Sequence, residues 1–307
     1  MRQTGDLPLA TAPESTNRPA PAEASTPILA ASVIVVRPHA QHGFEVLLME
    51  RSASSRNFAG ALVFPGGKVD AGDAAIAQAA GFEQLWPTQS NLWTPQQMQA
   101  DTVASLYGAV LRETLEEVGL VWTAAAQLPE AAALQTLREA LLAGTPWPST
   151  SAIATSVLGM QPFSRWITPQ VPNFSTKRFD TWFLLAQAPE GQIASADACE
   201  ATRLVWDTPQ AFLHSHRQRE ILLAPPQLMT LAHLSRFASI AALQSYAQSQ
   251  APYCIAPVSI DHDGQRIVCF PGDPLHSEAT VWMPGPQRLV MRERWFEPVG
   301  GFEDLWR

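Results

Sequence analysis

Three carboxylates in one short segment constrain this chain more than any other sequence feature. Residues 112–120 read RETLEEVGL, with Glu113, Glu116 and Glu117 at positions i, i+3 and i+4. A helix places side chains at that spacing on one face, and Gly119 stands where a helix-ending glycine belongs. Like charges so placed repel each other, which leaves two explanations: a solvated acidic face or a bound divalent cation. Mg²⁺ prefers oxygen ligands and shares its carboxylates with substrate phosphates.

A glycine-punctuated segment lies upstream of this helix. Residues 61–64 are a short apolar run, and residues 66–73 follow with the sequence GGKVDAGD. Glycines at such a turn let backbone amides approach a ligand or form a tight loop. A solvated face is the commoner explanation for the carboxylates alone, but the loop and the acidic helix together favour a ligand site.

The loop and the helix together resemble the Nudix box, Gx5Ex7REUxEExGU, where U is an aliphatic residue. Gly67 matches the first glycine, Asp73 stands at the first glutamate, and residues 112–120 complete the pattern. Two departures are Asp73 itself and Thr114, which occupies the first aliphatic position. The third is a gap of 38 residues instead of 7 between Asp73 and Arg112, an insertion of 31. Loop insertions are tolerated when their ends stay close together.

A second signature precedes the box. Residues 47–67 read LLMERSASSRNFAGALVFPGG and resemble the coenzyme A-associated motif LLTxR(S/A)x3Rx3Gx3FPGG, with only Met49 in place of Thr. Arg51 and Arg56 supply planar, permanent cations suited to phosphate. The alternative is that they are ordinary surface arginines at a strand end. From residue 28 to about 243, the chain resembles the coenzyme A diphosphatase-like branch of the Nudix hydrolases, which carries an insertion inside the box.

The resemblance implies a fold and a reaction. The fold is α/β (α+β), a Nudix fold with a mixed β-sheet sandwiched between helices, an inserted helical segment and a β-rich C-terminal extension. The reaction is a metal-dependent cleavage of the diphosphate of coenzyme A or acyl-CoA, a small-molecule substrate, to 3′,5′-ADP and (acyl-)4′-phosphopantetheine. The implied cofactor is Mg²⁺ or Mn²⁺.

The resemblance also assigns roles to individual residues. The metal ligands are Glu113, Glu116 and Glu117, and the residues expected to act in catalysis are Glu116, Glu113 and Arg112. The substrate-binding residues are Arg51, Arg56, Gly66, Gly67 and Lys68, and the loop is shaped by Gly72 and Asp73, with Asp73 bracing Arg112. For the general base, Glu116 is the first choice. Glu200 is a second candidate, although an ordinary exposed acid is the favoured explanation for it.

Two other functions remain open at this point. One is a Nudix hydrolase for a different nucleoside diphosphate derivative, such as ADP-ribose or a dinucleotide, and the arginine motif of residues 51–56 argues for the 3′-phosphorylated substrate instead. The other is a catalytically silent Nudix-fold binding protein, against which the three intact helix carboxylates speak.

Composition limits the partners and the compartment. The 307 residues carry 28 acidic and 20 basic side chains, a formal charge of −8, which argues against nucleic acid or an anionic membrane surface as partner. No apolar run approaches the ~18 residues of a membrane helix. The three cysteines are widely spaced without a CxxC pair, which indicates a reducing compartment. We therefore expect a cytoplasmic protein with no nucleic-acid or membrane partner, and a homodimer remains open.

The chain is expected to divide into three parts. Residues 1–27 are rich in Ala, Pro, Ser and Thr and predict a disordered tail. Residues 28–250 would form the Nudix domain, beginning with a hairpin of strands at 28–37 and 44–50 and ending in one long helix over 226–248. Residues 251–307 would form the β-rich extension, with one of its strands at 280–283.

The insertion, about residues 74–104, carries its own apolar cluster. A helix is expected over 74–85, an irregular segment over 86–95, and a new helix from Thr94 and Pro95 that reaches Val118, with a break in it left open. Two explanations of the cluster stay open: a flap that holds the pantetheine or acyl arm, or a mini-lobe that buries its own tryptophan pair. The cluster consists of Phe82, Leu85, Trp86, Leu92 and Trp93.

Overall fold

A computed structural model describes residues 26–53, 58–124, 130–148, 153–170, 177–197, 200–262 and 264–306. Nearly all of the expected disordered tail lies outside these ranges, and so does Arg56. Within the described residues, no helix is long and apolar enough to cross a membrane.

One mixed sheet organises the domain. Its strands, in chain order, are β1 (Ile28–His39), β2 (Gly43–Arg51), β3 (Ala61–Val63), β4 (Gly66–Lys68), β5 (Gln161–Ile167), β6 (Phe179–Gln187), β7 (Ala201–Asp207), β8 (Leu222–Leu223) and β9 (Tyr253–Ile255). The order across the sheet is β8-β3-β2-β1-β6-β5-β9, with β4 also paired to β1 and β7 to β2. The expected hairpin of β1 and β2 is confirmed as an antiparallel pair, whereas β1 and β6 run parallel.

Helices cover both faces of this sheet, which confirms the sandwiched arrangement. The helices are α1 (Asp73–Ala79), α2 (Phe82–Trp93), α3 (Ala100–Val118), α4 (Ala131–Leu142), α5 (Pro209–Arg217), α6 (Pro225–Leu234) and α7 (Ile240–Ser249). Alternate residues of β1 enter opposite cores, since side chains alternate along a strand. Val33 and Val35 pack with α1, α2 and α3, while Ile34 and Val36 pack with α5, α6 and α7.

The insertion differs from its expected secondary structure. The expected irregular segment is wrong, because α2 continues to Trp93 with Pro87 inside it. Pro87 lies on the exposed side of α2, where the carbonyl that lacks its amide partner can bond to water. A short 3-10 turn at Thr94–Gln96 follows, and α3 begins only at Ala100.

The apolar cluster of the insertion belongs to the main core. Phe82, Leu85, Leu92 and Trp93 are buried in the same core as the sheet. The ring of Trp93 lies 4.9 Å from that of Trp182 on β6. This packing supports neither a separate mini-lobe nor a flap, because the cluster is occupied by contacts with the domain itself.

The expected long helix over 226–248 is wrong, because α6 ends at Leu234 and α7 starts at Ile240. Ser239 caps α7 by accepting a hydrogen bond from Ala242 N at 3.2 Å. The segment between the two helices packs on the β1–β2 turn so closely that a Cβ at Gly43 would lie 2.1 Å from Ala238 O. The break between the two helices therefore lies at a contact with that hairpin.

A second sheet, antiparallel and four-stranded, confirms the β-rich C-terminal extension. It consists of β10 (Val258–His262), β11 (Gln265–Cys269), β12 (Arg288–Arg292) and β13 (Trp295–Pro298), paired in that order. The strand expected at 280–283 is wrong, since those residues form none. His216 Nε2 donates to Phe296 O at 2.9 Å and ties the second sheet to α5. The exact boundaries given above for the domain and the extension stay a prediction.

Candidate active site

The two halves of the box meet in space despite the insertion between them. Strand β4 carries Gly66 and Gly67 alongside α3, which we call the box helix. Gly66 N donates to Glu117 Oε2 at 2.8 Å. At Gly67 the approach is closer still, because a Cβ there would lie 2.3 Å from Glu113 Oε1. The glycines therefore allow the loop backbone to lie directly on the helix carboxylates.

Arg112 joins the box helix to the loop. Its Nε and Nη2 donate to the two carboxylate oxygens of Asp73 at 2.9 and 3.1 Å, and Nη2 also donates to Lys68 O at 3.0 Å. Its Nη1 donates to Glu113 at 2.8 Å and to Glu116 at 3.3 Å. Burial opposes the charge of Arg112, but the carboxylates of Asp73 and Glu113 raise its pKa, so it stays protonated.

The three glutamates form an acidic group in which Glu113 and Glu117 are buried and Glu116 is half-buried. Burial raises the pKa of Glu113 to about 7 and raises that of Glu116. Burial, followed by the charge of Glu113, holds the pKa of Glu117 well above its usual range. Such buried carboxylates are stabilised when a cation joins them.

The donor chemistry of this group fits a divalent cation, since carboxylate oxygens are the ligands that Mg²⁺ and Mn²⁺ prefer. Among the described residues, one oxygen of each of Glu113, Glu116 and Glu117 accepts a hydrogen bond from Arg112 or Gly66, and the second oxygen of each is left for another partner. Within the described ranges, no group of three or more metal-ligating side chains is already drawn together around one point. Nudix hydrolases generally use divalent metal ions.

The remaining loop residues lie at the rim of the acidic group. The exposed Lys68 donates from Nζ to Asp70 Oδ1 at 2.8 Å. Asp73 Oδ2 also accepts from Asp70 N at 2.7 Å, which closes the turn before Gly72 and α1. Lys68 thus lies close to the site with its charge paired to a neighbour at the surface.

Of the two motif arginines, the structure describes Arg51 and not Arg56. Arg51 ends β2, and its charge acts on Glu117, whose pKa it lowers against the effect of burial. Its Nε is buried and has no hydrogen-bond partner among the described residues. The base of the motif loop is closed by Gly60 N, which donates to Arg51 O at 3.1 Å. Arg56 lies outside the described residues.

Three further residues act on or near the site: Glu200, which the sequence offered as a second candidate for the base, and Arg138 and Gly108, which it did not single out. Glu200 acts electrostatically on all three box glutamates and helps to raise their pKa values. Arg138 is buried and donates to backbone carbonyls at the end of the box helix. Gly108 faces α1, where a Cβ would lie 1.7 Å from Asp73 O. Of the two residues that the sequence analysis did not single out, Gly108 was detectable, because a glycine inside a helix costs stability and implies a packing reason.

The fold and this site define the chain as a Nudix hydrolase. A Nudix hydrolase from Alicyclobacillus acidocaldarius superposes with a TM-score of 0.55, covering 72% of this chain and 96% of that one at 23% identity, which shows a shared fold. A family model described as the NUDT19 Nudix domain matches residues 22–234. The chain therefore belongs to the NUDT19 Nudix family.

Relatives over most of the chain are consistent with this family. An acyl-coenzyme A diphosphatase NUDT19 from Homo sapiens is 25% identical over 308 residues, which cover 86% of this chain and 80% of that one. A protein of the same name from Gallus gallus is 27% identical over 294 residues, which cover 81% and 76%.

Proposed function

We propose that this protein cleaves the diphosphate of coenzyme A or acyl-CoA and releases 3′,5′-ADP and (acyl-)4′-phosphopantetheine. One observation carries the proposal: Gly66, near the end of the coenzyme A-type motif, donates from its backbone N to Glu117 Oε2 on the box helix at 2.8 Å. The charge of Arg51 from the same motif also acts on Glu117, which supports a single site for the two motifs. The names of the relatives in Homo sapiens and Gallus gallus support the same substrate class.

The cofactor we propose is Mg²⁺ or Mn²⁺, held by Glu113, Glu116 and Glu117. When bound, such an ion supplies positive charge against the diphosphate and makes a nearby water more acidic. Arg112 donates hydrogen bonds to Glu113 and Glu116 and is itself fixed by its hydrogen bond to Asp73, so it holds the two carboxylates in place. The amide of Gly66 does the same for Glu117.

Glu116 is the residue we propose as general base. Its side chain is 19% exposed, against 12% for Glu113, so it has the better access to water. Arg112 donates to its Oε2, and the carboxylate of Glu116 would take the proton from the attacking water. Glu200, which is exposed beside the same group, is the second candidate.

Substrate binding is assigned to the arginines and the loop. Arg51, with a buried Nε that has no partner in the described part of the chain, suits an anionic phosphate. Gly66 and Gly67, whose backbone lies on the carboxylates of Glu117 and Glu113, would set the loop beside the diphosphate, and Lys68 adds a positive charge at the rim. Arg56, which lies outside the described residues, keeps its proposed role in binding phosphate.

The test is an assay of coenzyme A hydrolysis in Mg²⁺ that follows release of 3′,5′-ADP, with the wild type and Glu117→Gln compared. We expect Glu117→Gln to lose roughly 100-fold in kcat, because about 3 kcal/mol of the charge stabilisation by the metal is removed. The matched control is Glu83→Gln, since Glu83 is an exposed glutamate of α2, and it should keep wild-type activity.

Substrate comparison separates this proposal from its rivals. Dephospho-CoA should be a poorer substrate than coenzyme A, because it lacks the phosphate that the motif arginines would bind. Turnover of ADP-ribose or a dinucleotide with no turnover of coenzyme A would replace the substrate. Absence of turnover with every diphosphate would leave a Nudix-fold binding protein.

A further inference from the structure

The C-terminal end of the box helix is capped by a side chain from another helix. The last carbonyls of a helix have no partner within the helix. Arg138 of α4, only 7% exposed, fills this role. Its Nε donates to Glu116 O at 3.1 Å, and its Nη2 donates to Glu117 O at 3.2 Å. The capped carbonyls therefore belong to the residues whose carboxylates lie in the site.

The same guanidinium holds the segment between β6 and β7. Its Nη1 and Nη2 donate to the hydroxyl and the carbonyl of Ser195, each at 2.8 Å. The backbone of this segment continues the contact, because Ser195 N donates to Val118 O at 2.9 Å and Asp197 N donates to Glu117 O at 3.2 Å. Arg138 thus lies between the end of the box helix and residues 195–197.

Asp197 of this segment is hydrogen-bonded to the backbone of Glu200. The Asp197 carboxylate accepts from Glu200 N at 3.1 Å and from Ala201 N at 2.8 Å. Ser52 N, just after β2, donates to Glu200 O at 3.0 Å. The backbone of Glu200 is therefore fixed relative to both the box helix and the strand that bears Arg51.

The contact between Arg138 and Ser195 also requires a glycine at position 119. Its φ of +69° ends the helix in the left-handed region. A Cβ there would also lie 2.9 Å from Arg138 Nη1 and 2.9 Å from Ser195 Oγ. The glycine of the box is needed for its conformation and for the space that the guanidinium occupies.

We propose that Arg138 is a positioning residue that sets the carboxylates of the box helix and the carboxylate of Glu200 in one fixed arrangement around the substrate diphosphate. A planar guanidinium can donate to several acceptors in fixed directions, whereas an ammonium group is a point charge on a flexible stem. Lysine at position 138 would keep the charge and lose the arrangement. The proposal rests on the hydrolase activity proposed above.

The test compares Arg138→Lys with Leu141→Ala. Leu141 is buried on the same helix, in a cluster with Leu115 of the box helix. It makes no hydrogen bond to the cap, so Leu141→Ala reports the effect of loosening the packing of α4 on the box helix while the cap stays in place. With folded protein and coenzyme A in Mg²⁺, we expect Arg138→Lys to lower kcat by about 10- to 100-fold, as for other groups that orient ligands, while KM changes less than about threefold. Leu141→Ala should keep kcat near the wild-type value.

A second readout is independent of turnover. Binding of Mn²⁺ alone, followed by electron paramagnetic resonance, should weaken about tenfold in Arg138→Lys and stay unchanged in Leu141→Ala. If Arg138→Lys does not fold, Ser195→Ala removes one acceptor of the cap and should lower kcat by a smaller factor, about three- to tenfold. Wild-type kcat and wild-type Mn²⁺ affinity in the folded variant would overturn the proposal.

The outcomes also separate this proposal from the proposed substrate. Should the wild type cleave ADP-ribose and not coenzyme A, the substrate assignment fails, and the same kcat comparison is made with ADP-ribose. Should it cleave neither, the Mn²⁺ affinity decides the role of Arg138. An equal loss of kcat in Arg138→Lys and Leu141→Ala would show that Arg138 acts only through stability.

Discussion

Replacing Gly108 by alanine tests how closely the two ends of the insertion are held together. Gly108 lies inside the box helix and faces the first turn of α1. A Cβ at this position would lie 1.7 Å from the backbone oxygen of Asp73. Because that atom is backbone, it cannot swing aside as a flexible side chain does, so α1 must move as a unit.

The required movement is enough to break the central ion pair. Ordinary contact between a Cβ and a neighbouring atom begins at 3.4 Å, so α1 must move away by about 1.7 Å. The same movement would lengthen the hydrogen bond from Arg112 Nε to Asp73 from 2.9 Å to about 4.6 Å, which is beyond ion-pair range. Breaking a buried pair costs about 3–5 kcal/mol, and alanine returns about 1 kcal/mol through its better helix propensity. We therefore expect the free energy of unfolding to fall by about 2–4 kcal/mol.

The measurement is urea denaturation of Gly108→Ala beside Gly72→Ala. Gly72 precedes α1 with φ −87°, and a Cβ there would meet nothing within 4 Å. Gly72→Ala should therefore be neutral or stabilise the fold by up to about 1 kcal/mol. A free energy of unfolding for Gly108→Ala within about 0.5 kcal/mol of the wild type would refute the close contact between α1 and the box helix.

Two other predictions concern the free energy of unfolding. Burial, together with the charge of Arg236, lowers the pKa of His233 from 6.5 to about 4. The stability contributed by the neutral ring is therefore complete above pH 6.5 and is lost as the pH falls towards 4. Between pH 7 and pH 5 the wild type should lose about 2 kcal/mol more unfolding free energy than His233→Gln, and equal slopes in the two proteins would contradict this. Thr114 is fully buried, and its hydroxyl has no hydrogen-bond partner among the described residues. We therefore expect Thr114→Val to raise the free energy of unfolding by about 1 kcal/mol or more. A lower melting temperature for this variant would show that the hydroxyl has a hydrogen-bond partner.

Some elements were predictable because the signal was local. Helix α5 occupies Pro209–Arg217, and its start is readable from the sequence because Thr208 and Pro209 are start signals that act within one turn. The end of the box helix at Gly119 is likewise set by a residue that accepts positive φ. These features depend on neighbours in the chain.

Other elements followed contacts that the sequence does not display. Pro87 predicted a break, but α2 continues because its buried face, which includes Trp93, packs on the sheet. In that helix, burial against a distant element outweighed the local preference. The helices α6 and α7 are separate, and the segment between them, which holds the Ser239 cap, lies on Gly43 of the first hairpin.

By itself, the sequence determined the acidic face of the box helix, the glycine loop and the arginine motif, because these depend on residue type and on spacing within a few turns. Only the tertiary structure decided that the 31 inserted residues fold into the core and return Arg112 to Asp73 at 2.9 Å. It also brought Arg138 and Glu200 to the box helix. Those contacts join residues far apart in the chain, and packing and charge in the folded protein select them.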